Sequence, residues 1–302
     1  MARRRHRRRR GASGALAALA IFLALALAAY LGFRLRDAWS PAAQEGAPAA
    51  GESLSRPVPE APTAQPPGEA TKERPPAGRL ALVIDDLGRS LADVDRLANL
   101  GVPVTGAVLP FEPQSEAVAR SLEHRGFEVL CHLPMEPATA GVDPGPGALT
   151  RAMNTEQVRT ATRRALAAVP GAVGANNHMG SAFSADAGSM RPVLEEIGGR
   201  GLLYLDSRTG AASVAFRLAL ALGIPSAERD VFLDGPGDGG SIERRWRELL
   251  AAARADGAAI AIGHPHETTL RFLERAVPSA VAEGYEFVPV SYLVDRPGDP
   301  PI

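Results

Sequence analysis

A parallel α/β barrel held behind an N-terminal membrane helix is the architecture this 302-residue sequence predicts. Three observations predict it. From Arg79 to Asp295, short apolar runs alternate with helix-period patterns, as repeated βα units require. The polar residues able to do chemistry recur at one place, just after each strand. Before this region lie an arginine-rich tail, an uncharged apolar run and a proline-rich segment.

Residues 1–10 contain seven arginines and no acid, and read as a basic cytoplasmic tail. Residues 11–33 carry no charge; these 23 residues would form a helix of about 35 Å, enough to span a hydrocarbon core of about 30 Å with some tilt. The heavier basic flank keeps the N-terminus cytoplasmic and reads this segment as a single-pass inner-membrane anchor, with the C-terminal domain exported, periplasmic or extracytoplasmic. A cleavable signal peptide is the rival reading, because Ala-x-Ala spacings occur near Ala26 and Ala28. The run exceeds an h-region of about 7–15 residues, which favours an uncleaved anchor. Residues 34–78 read as a disordered Pro/Ala-rich linker, with nine prolines among the 38 residues from Pro41 to Gly78. Residues 79–295 form the predicted domain, and 296–302 a short tail.

The formal charge of −1 conceals an asymmetry, since the chain without its seven tail arginines stands at −8. That balance disfavours a polyanion, so no nucleic-acid partner is expected. Cys131 is the single cysteine, so no intramolecular disulfide forms and the core alone must hold the fold.

The elements follow in order. Leu80–Ile84 reads as a buried strand. Ser90 caps a helix carrying Leu91, Val94 and Leu97, which Gly101 stops. Val102–Leu109 is a second strand, Ser115–Arg125 a helix and Phe127–Leu133 a third strand. A Gly/Pro-rich loop covers 138–147. Asn154 or Thr155 starts a helix that ends at Pro170-Gly171, and Ala172–Ala175 is a fourth strand. Met190–Ile197 is helical, Leu202–Leu205 a strand, Ser213–Leu222 a helix and Val231–Leu233 a short strand. Ser241–Asp256, Ala258–Ile262, Thr268–Glu283 and Glu286–Val290 complete the alternation as helix, strand, helix and strand. Some seven βα units at this length favour a closed or nearly closed barrel, with an open doubly wound sheet as the alternative.

Asp85 and Asp86 follow the first strand; His132 and Glu136 the third; Asn176, Asn177 and His178 the fourth; Asp206, Ser207 and Arg208 the fifth. Asp234 follows the next, and His264 and His266 the last of these. In a βα barrel these ends converge on one face. Adjacent strand residues point to opposite faces, so Asp85 and Asp86 share a pocket only where the chain turns, and a cation or a shared proton must then offset their repulsion. Four histidines at strand ends beside an Asp pair indicate a divalent metal, and N and O ligands suit zinc.

Ile84-Asp85-Asp86-Leu87-Gly88, His132-Leu133-Pro134-Met135-Glu136-Pro137, Asn176-Asn177-His178-Met179-Gly180-Ser181, Leu205-Asp206-Ser207 and Ile262-Gly263-His264-Pro265 occur in that order. As an ordered set they resemble the divergent polysaccharide deacetylase family, the YibQ-like branch of the NodB-homology fold, over Arg79–Val294. The resemblance implies a distorted (β/α)7 barrel. It also implies metal-dependent hydrolysis of N- or O-acetyl groups on a cell-envelope carbohydrate such as peptidoglycan. It assigns Asp85 as base, Asp86 and His132 as metal ligands and His264 as acid. The superfamily's second metal histidine is replaced by Glu136, so a further ligand is Glu136 or comes from elsewhere; His178 is our choice. The superfamily's arginine motif is also missing, with Asn176-Asn177-His178 in its place. Glu136, Asn176, Asn177, Asp206, Arg208 and His266 remain as substrate or supporting contacts.

Plainer roles compete for each residue. Asp86 or Ser90 can cap the next helix, Asn176 and Asn177 can be turn residues, Asp206 and Arg208 can form a structural ion pair, and His266 can start the last helix. The Gly-rich loop at 234–240 reads as a lid or a turn, and lacks the Lys-Ser/Thr of a phosphate cradle. No Gly-x-Ser-x-Gly elbow is present for a serine hydrolase. Two functions compete with deacetylation. One is a glycan-binding or scaffolding barrel without turnover. The other is a phosphoesterase, which needs more cationic cleft contacts than Arg208.

Overall fold

The computed structural model describes residues 77–235 and 241–295. The tail at 1–10, the anchor at 11–33, nearly all of the linker and the tail at 296–302 lie outside them. Among the described residues no helix is long and apolar enough to cross a membrane.

Strands β1 (Gly78–Leu87), β2 (Thr105–Val108), β3 (Glu128–Met135), β4 (Ala172–Met179), β5 (Leu203–Asp206), β6 (Ser226–Glu228), β7 (Val231–Phe232), β8 (Ala258–Gly263) and β9 (Tyr285–Phe287) form one sheet. Helices α1 (Leu91–Ala98), α2 (Ser115–His124), α3 (Thr155–Ala168), α4 (Ala187–Gly198), α5 (Ala215–Ala221), α6 (Ile242–Asp256) and α7 (Glu267–Ala282) connect most of them. Every strand pairing is parallel, in the order β6-β5-β4-β3-β2-β1-β8-β7. β9 pairs with Gly78–Leu80, below the stretch of β1 that pairs with β2.

The outermost strands, β6 and β7, are consecutive in the chain. The Arg229 N–H donates to Asp206 O at 3.0 Å, at the end of β5, and the Asp230 N–H to Ile260 O at 3.0 Å, on β8. The sheet therefore curls until its edges meet at Arg229-Asp230.

Period-two alternation divides the core in two. Leu80, Leu82 and Ile84 join helix residues such as Val94, Leu97, Val118 and Leu122 in an outer cluster. Ala81, Val83, Leu130, Leu205, Ile260 and Ile262 belong to an inner cluster that contains no residue of α1–α7. Helices thus cover one face only, unlike a doubly wound sheet.

Local chemistry sets the helix starts. Ser90 Oγ accepts the Ala92 N–H at 3.2 Å, and Asn154 and Gln157 form a reciprocal capping box. Some boundaries depart from the sequence expectation. Pro103 lacks a ladder donor, and β2 begins only at Thr105. β4 runs on to Met179, so Asn176, Asn177 and His178 are strand residues and not turn residues. β6 was not anticipated; three residues with one small apolar side chain give no periodic signal. The last strand is Tyr285–Phe287, and Val290 belongs to a short 3₁₀ helix after Pro289.

Candidate active site

The alternation that builds the inner core also places the site. Ala81 and Val83 point inward, and Asp85 continues the series. Leu130 is followed by His132 in the same phase, Gly174 by Asn176 and His178, and Ile262 by His264. Each of these four strands therefore ends its inward row with a polar side chain. Asp86 is out of phase, but its φ of +58° turns its carboxylate back among them. The ladder between β1 and β2 shifts register at this point, and Gly88 follows at φ +122°. Among the described residues four non-glycine residues have positive φ, and three of them (Asp86, Met179 and Arg208) line one cleft of about 600 Å³. Strained backbone is thus concentrated where the polar residues converge.

On one wall, three donor atoms face each other. Asp86 Oδ1 lies 2.8 Å from His178 Nδ1 and 3.2 Å from His132 Nε2, and the two ring nitrogens are 3.2 Å apart. His132 Nδ1–H donates to Asn176 Oδ1 at 2.8 Å, which leaves the Nε2 lone pair for the cluster. Asp86 Oδ1 is buried and accepts no well-aligned hydrogen bond. Burial works against ionisation of Asp86, but His132 and His178 more than reverse it and hold its pKa far below the usual carboxylate range. Tetrahedral zinc with bonds of about 2.0–2.1 Å separates its ligands by about 3.3 Å. The N₂O donor set, its spacing and the orphaned oxygen all fit a divalent metal.

Asp85 stands behind this cluster, 2% exposed, with Oδ2 3.6 Å from His132 Nε2. Asn176 Nδ2 donates to Asp85 Oδ1 at 2.8 Å and to Ser207 Oγ at 3.2 Å. One amide thus fixes both Asp85 and His132. Burial pushes the Asp85 pKa up; His132, His264 and the Asn176 bond restrain the rise. For His132, burial lowers the proton affinity, but Asp85 and Asp86 carry it above the ordinary histidine value.

The opposite wall carries His264. Its Nδ1 is 2.8 Å from Asp234 Oδ1, and its backbone N–H donates to Asp234 Oδ2 at 2.9 Å. Thr269 Oγ1 donates to the same Oδ2 at 2.6 Å. His264 Nε2 is 3.9 Å from Asp86 Oδ2, across the cleft. Burial lowers the proton affinity of His264, but the Asp234 bond and charge, then Asp85 and Asp86, raise it above the ordinary value.

The structure therefore brings together Asp85, Asp86, His132, Asn176, His178 and His264. Other predicted residues lie elsewhere. Glu136 turns away from the cluster: its carboxylate accepts the Arg151 N–H at 2.7 Å and pairs with the Arg151 guanidinium at 2.8 Å. Asp206 is out of phase with the inward row and faces α5, accepting Ser213 Oγ at 2.7 Å and the Phe216 N–H at 3.2 Å. It does not support His264; Asp234 does. Asn177 is tied to Tyr204 OH at 3.1 Å and the Ser207 N–H at 2.9 Å, and ties strands together at the cleft edge. Arg208 lines the cleft and pairs with Glu228 at 2.9 Å. His266 is exposed, with Nδ1 3.5 Å from Asp234 Oδ2. Sequence reasoning passed over the pairing of Asp234 with His264, and also Arg229 and Phe232. Arg208, Arg229 and Arg245 all line the cleft, so it is richer in cations than the sequence indicated.

The curled parallel sheet and the His/Asp cluster at its carboxyl edge together define a barrel-like α/β fold with a candidate metal site at one end. The chain belongs to the divergent polysaccharide deacetylase family, whose model matches residues 82–294. The resemblance carried by the five motifs is thus borne out. Two relatives are each 35% identical. One is an uncharacterized protein of Haemophilus influenzae, matched over 196 residues, 65% of this chain and 70% of that one. The other is the uncharacterized protein YibQ of Escherichia coli K12, matched over 202 residues, 67% of this chain and 63% of that one. Among solved structures, an uncharacterized protein from Agrobacterium tumefaciens C58 is 30% identical, with a TM-score of 0.66 over 72% of this chain and 89% of that one.

Proposed function

We propose that this protein is a metal-dependent carbohydrate deacetylase that hydrolyses N- or O-acetyl groups on a cell-envelope glycan. The observation that carries the reading is the convergence of Asp86 Oδ1, His132 Nε2 and His178 Nδ1 within 2.8–3.2 Å, with Asp85 behind them and His264 opposite. Family membership supports the substrate class. A divalent metal, zinc by its donor set, held by these three residues would polarise the acetyl carbonyl and acidify water.

The chain's own residues do the rest. Asp85, whose burial raises its affinity for a proton, accepts one from the attacking water. Asn176 holds the Asp85 carboxylate and keeps His132 in the tautomer that exposes Nε2. Asp234 orients His264 and favours its protonated form, whose Nε2–H can give its proton to the departing amine or alkoxide. The (β/α)7 count follows if β6 and β7 serve as one stave. In this reading residues 11–33 anchor the chain in the inner membrane and the barrel works on the periplasmic side, supported by the arginine-rich flank and the uncharged run.

The test is acetate release from N-acetylated and O-acetylated glycans by the full-length chain, with and without chelator. The expected result is turnover that the chelator abolishes and zinc restores. No release from a metal-loaded protein would contradict it and leave a glycan-binding barrel.

A further inference from the structure

We infer that Arg229 makes this cleft a reader of acidic glycans, one guanidinium recognising a carboxylate on the sugar bearing, or next to, the acetyl group. The inference rests on the deacetylase reading for its substrate class, but its site and its test stand apart from turnover.

Arg229 sits where the sheet edges meet, its backbone pinned by the bond to Asp206 O at 3.0 Å. Its Nε–H donates to Ser207 O at 2.8 Å and Nη2–H to Arg208 O at 2.9 Å. The guanidinium lies over the Phe232 ring, 4.7 Å from its centroid. These contacts immobilise the fork without neutralising it. Two of its five N–H groups are used, and among the described residues no carboxylate lies within ion-pair distance. Asp85, Asp206 and Asp230 act on the guanidinium from a distance without pairing with it, so this half-buried arginine of fixed orientation keeps its fork open as an anion receptor whose ordering cost is met in the folded state. The remaining donors on Nη1 and Nη2 include the end-on pair that matches a planar carboxylate.

Position ties this receptor to the chemistry. The Phe232 ring centroid is 5.3 Å from that of His264, so the guanidinium and the imidazole both neighbour one aromatic ring in the same cleft. A sugar whose acetyl group lies at His264 can present a neighbouring substituent to Arg229. The other acids of the cleft wall, Asp230 and Glu248, disfavour a phosphate dianion and leave a singly charged carboxylate as the better match.

The experiment is calorimetric titration of the full-length chain with three probes: N-acetylglucosaminyl-N-acetylmuramic acid, its methyl ester, and N,N′-diacetylchitobiose. The acid is expected to bind on the order of tenfold tighter than either neutral probe, a preference that Arg229→Gln removes. Arg229→Lys, which keeps the charge and loses the fork, retains part of it and serves where Arg229→Gln does not fold. A purely structural arginine would lower the melting temperature without changing the acid-to-ester ratio. Equal binding of acid and ester, a ratio unchanged in Arg229→Gln, or no binding of any probe would each overturn the inference. Acetate release, measured separately, decides the deacetylase reading: binding preference without turnover sinks that reading and leaves this one standing.

Discussion

The two walls of the cleft are built differently. The wall that carries the His/Asp cluster stands on β1, β3 and β4, strands of 10, 8 and 8 residues. Its polar atoms are cross-linked through Asn176, and Asp85 and His132 are almost wholly buried. The facing wall descends from β6 and β7, of 3 and 2 residues, and from the end of β8. There His264 is held by Asp234, and Arg229 by two backbone carbonyls and the Phe232 ring. A metal needs ligands fixed to a few tenths of an ångström, and long paired strands provide that. Proton delivery and substrate recognition need reach, which short strands and their loops provide.

If the walls divide the work in this way, substitutions should sort by wall. The largest effect is expected on the cluster wall. Asp86→Ala should lose bound metal, and acetate release should fall to background; elemental analysis beside the assay checks both. On the facing wall, His264→Ala should lower kcat by about 10²–10⁴ while metal content stays unchanged. Loss of metal in that variant would erase the proposed division. Asn176→Ala should weaken metal affinity by about 10–100-fold, read by chelator competition.

Asp234→Asn is expected to cost less, on the order of tenfold in kcat near neutral pH. Its signature is in the pH profile. His264 acts as the protonated form, and Asp234 raises its pKa, so activity is present below that pKa and lost as pH rises through it. With the charge of Asp234 removed, the alkaline limb should move to lower pH. Ser90→Ala, remote from both walls, should cost about 1 kcal/mol of stability through the lost cap and leave kcat unchanged.

The same contrast explains what could be read in the sequence. Where strands are long, period-two alternation carries the inward row from Ala81 and Val83 to Asp85, and from Leu130 to His132. The cluster wall was legible for that reason. Asp86 needed a left-handed backbone that alternation cannot show, although the following Leu87-Gly88 marks a turn. Asp206 looked equivalent to the other strand-end acids, but its phase was the signal against it: Leu205 points inward, so Asp206 points to α5. Glu136 follows the inward phase of His132, yet lies past the strand end, where Arg151 captures it. On the facing wall His264, Asp234, Arg208 and the strand at Val231–Leu233 were read from the sequence, but not how they pair. β6 is too short to set a period, and Asp234 meets His264 only through pairing of β7 with β8. Arg229 gave no signal, because its role depends on the sheet closing at that residue.

The central claim is that Asp86, His132 and His178 form a metal centre. The most direct measurement is the metal content of the purified full-length chain beside His132→Ala. The account predicts close to one divalent metal per chain, lost in the variant. No metal in the parent chain, even after reloading with zinc, would contradict it.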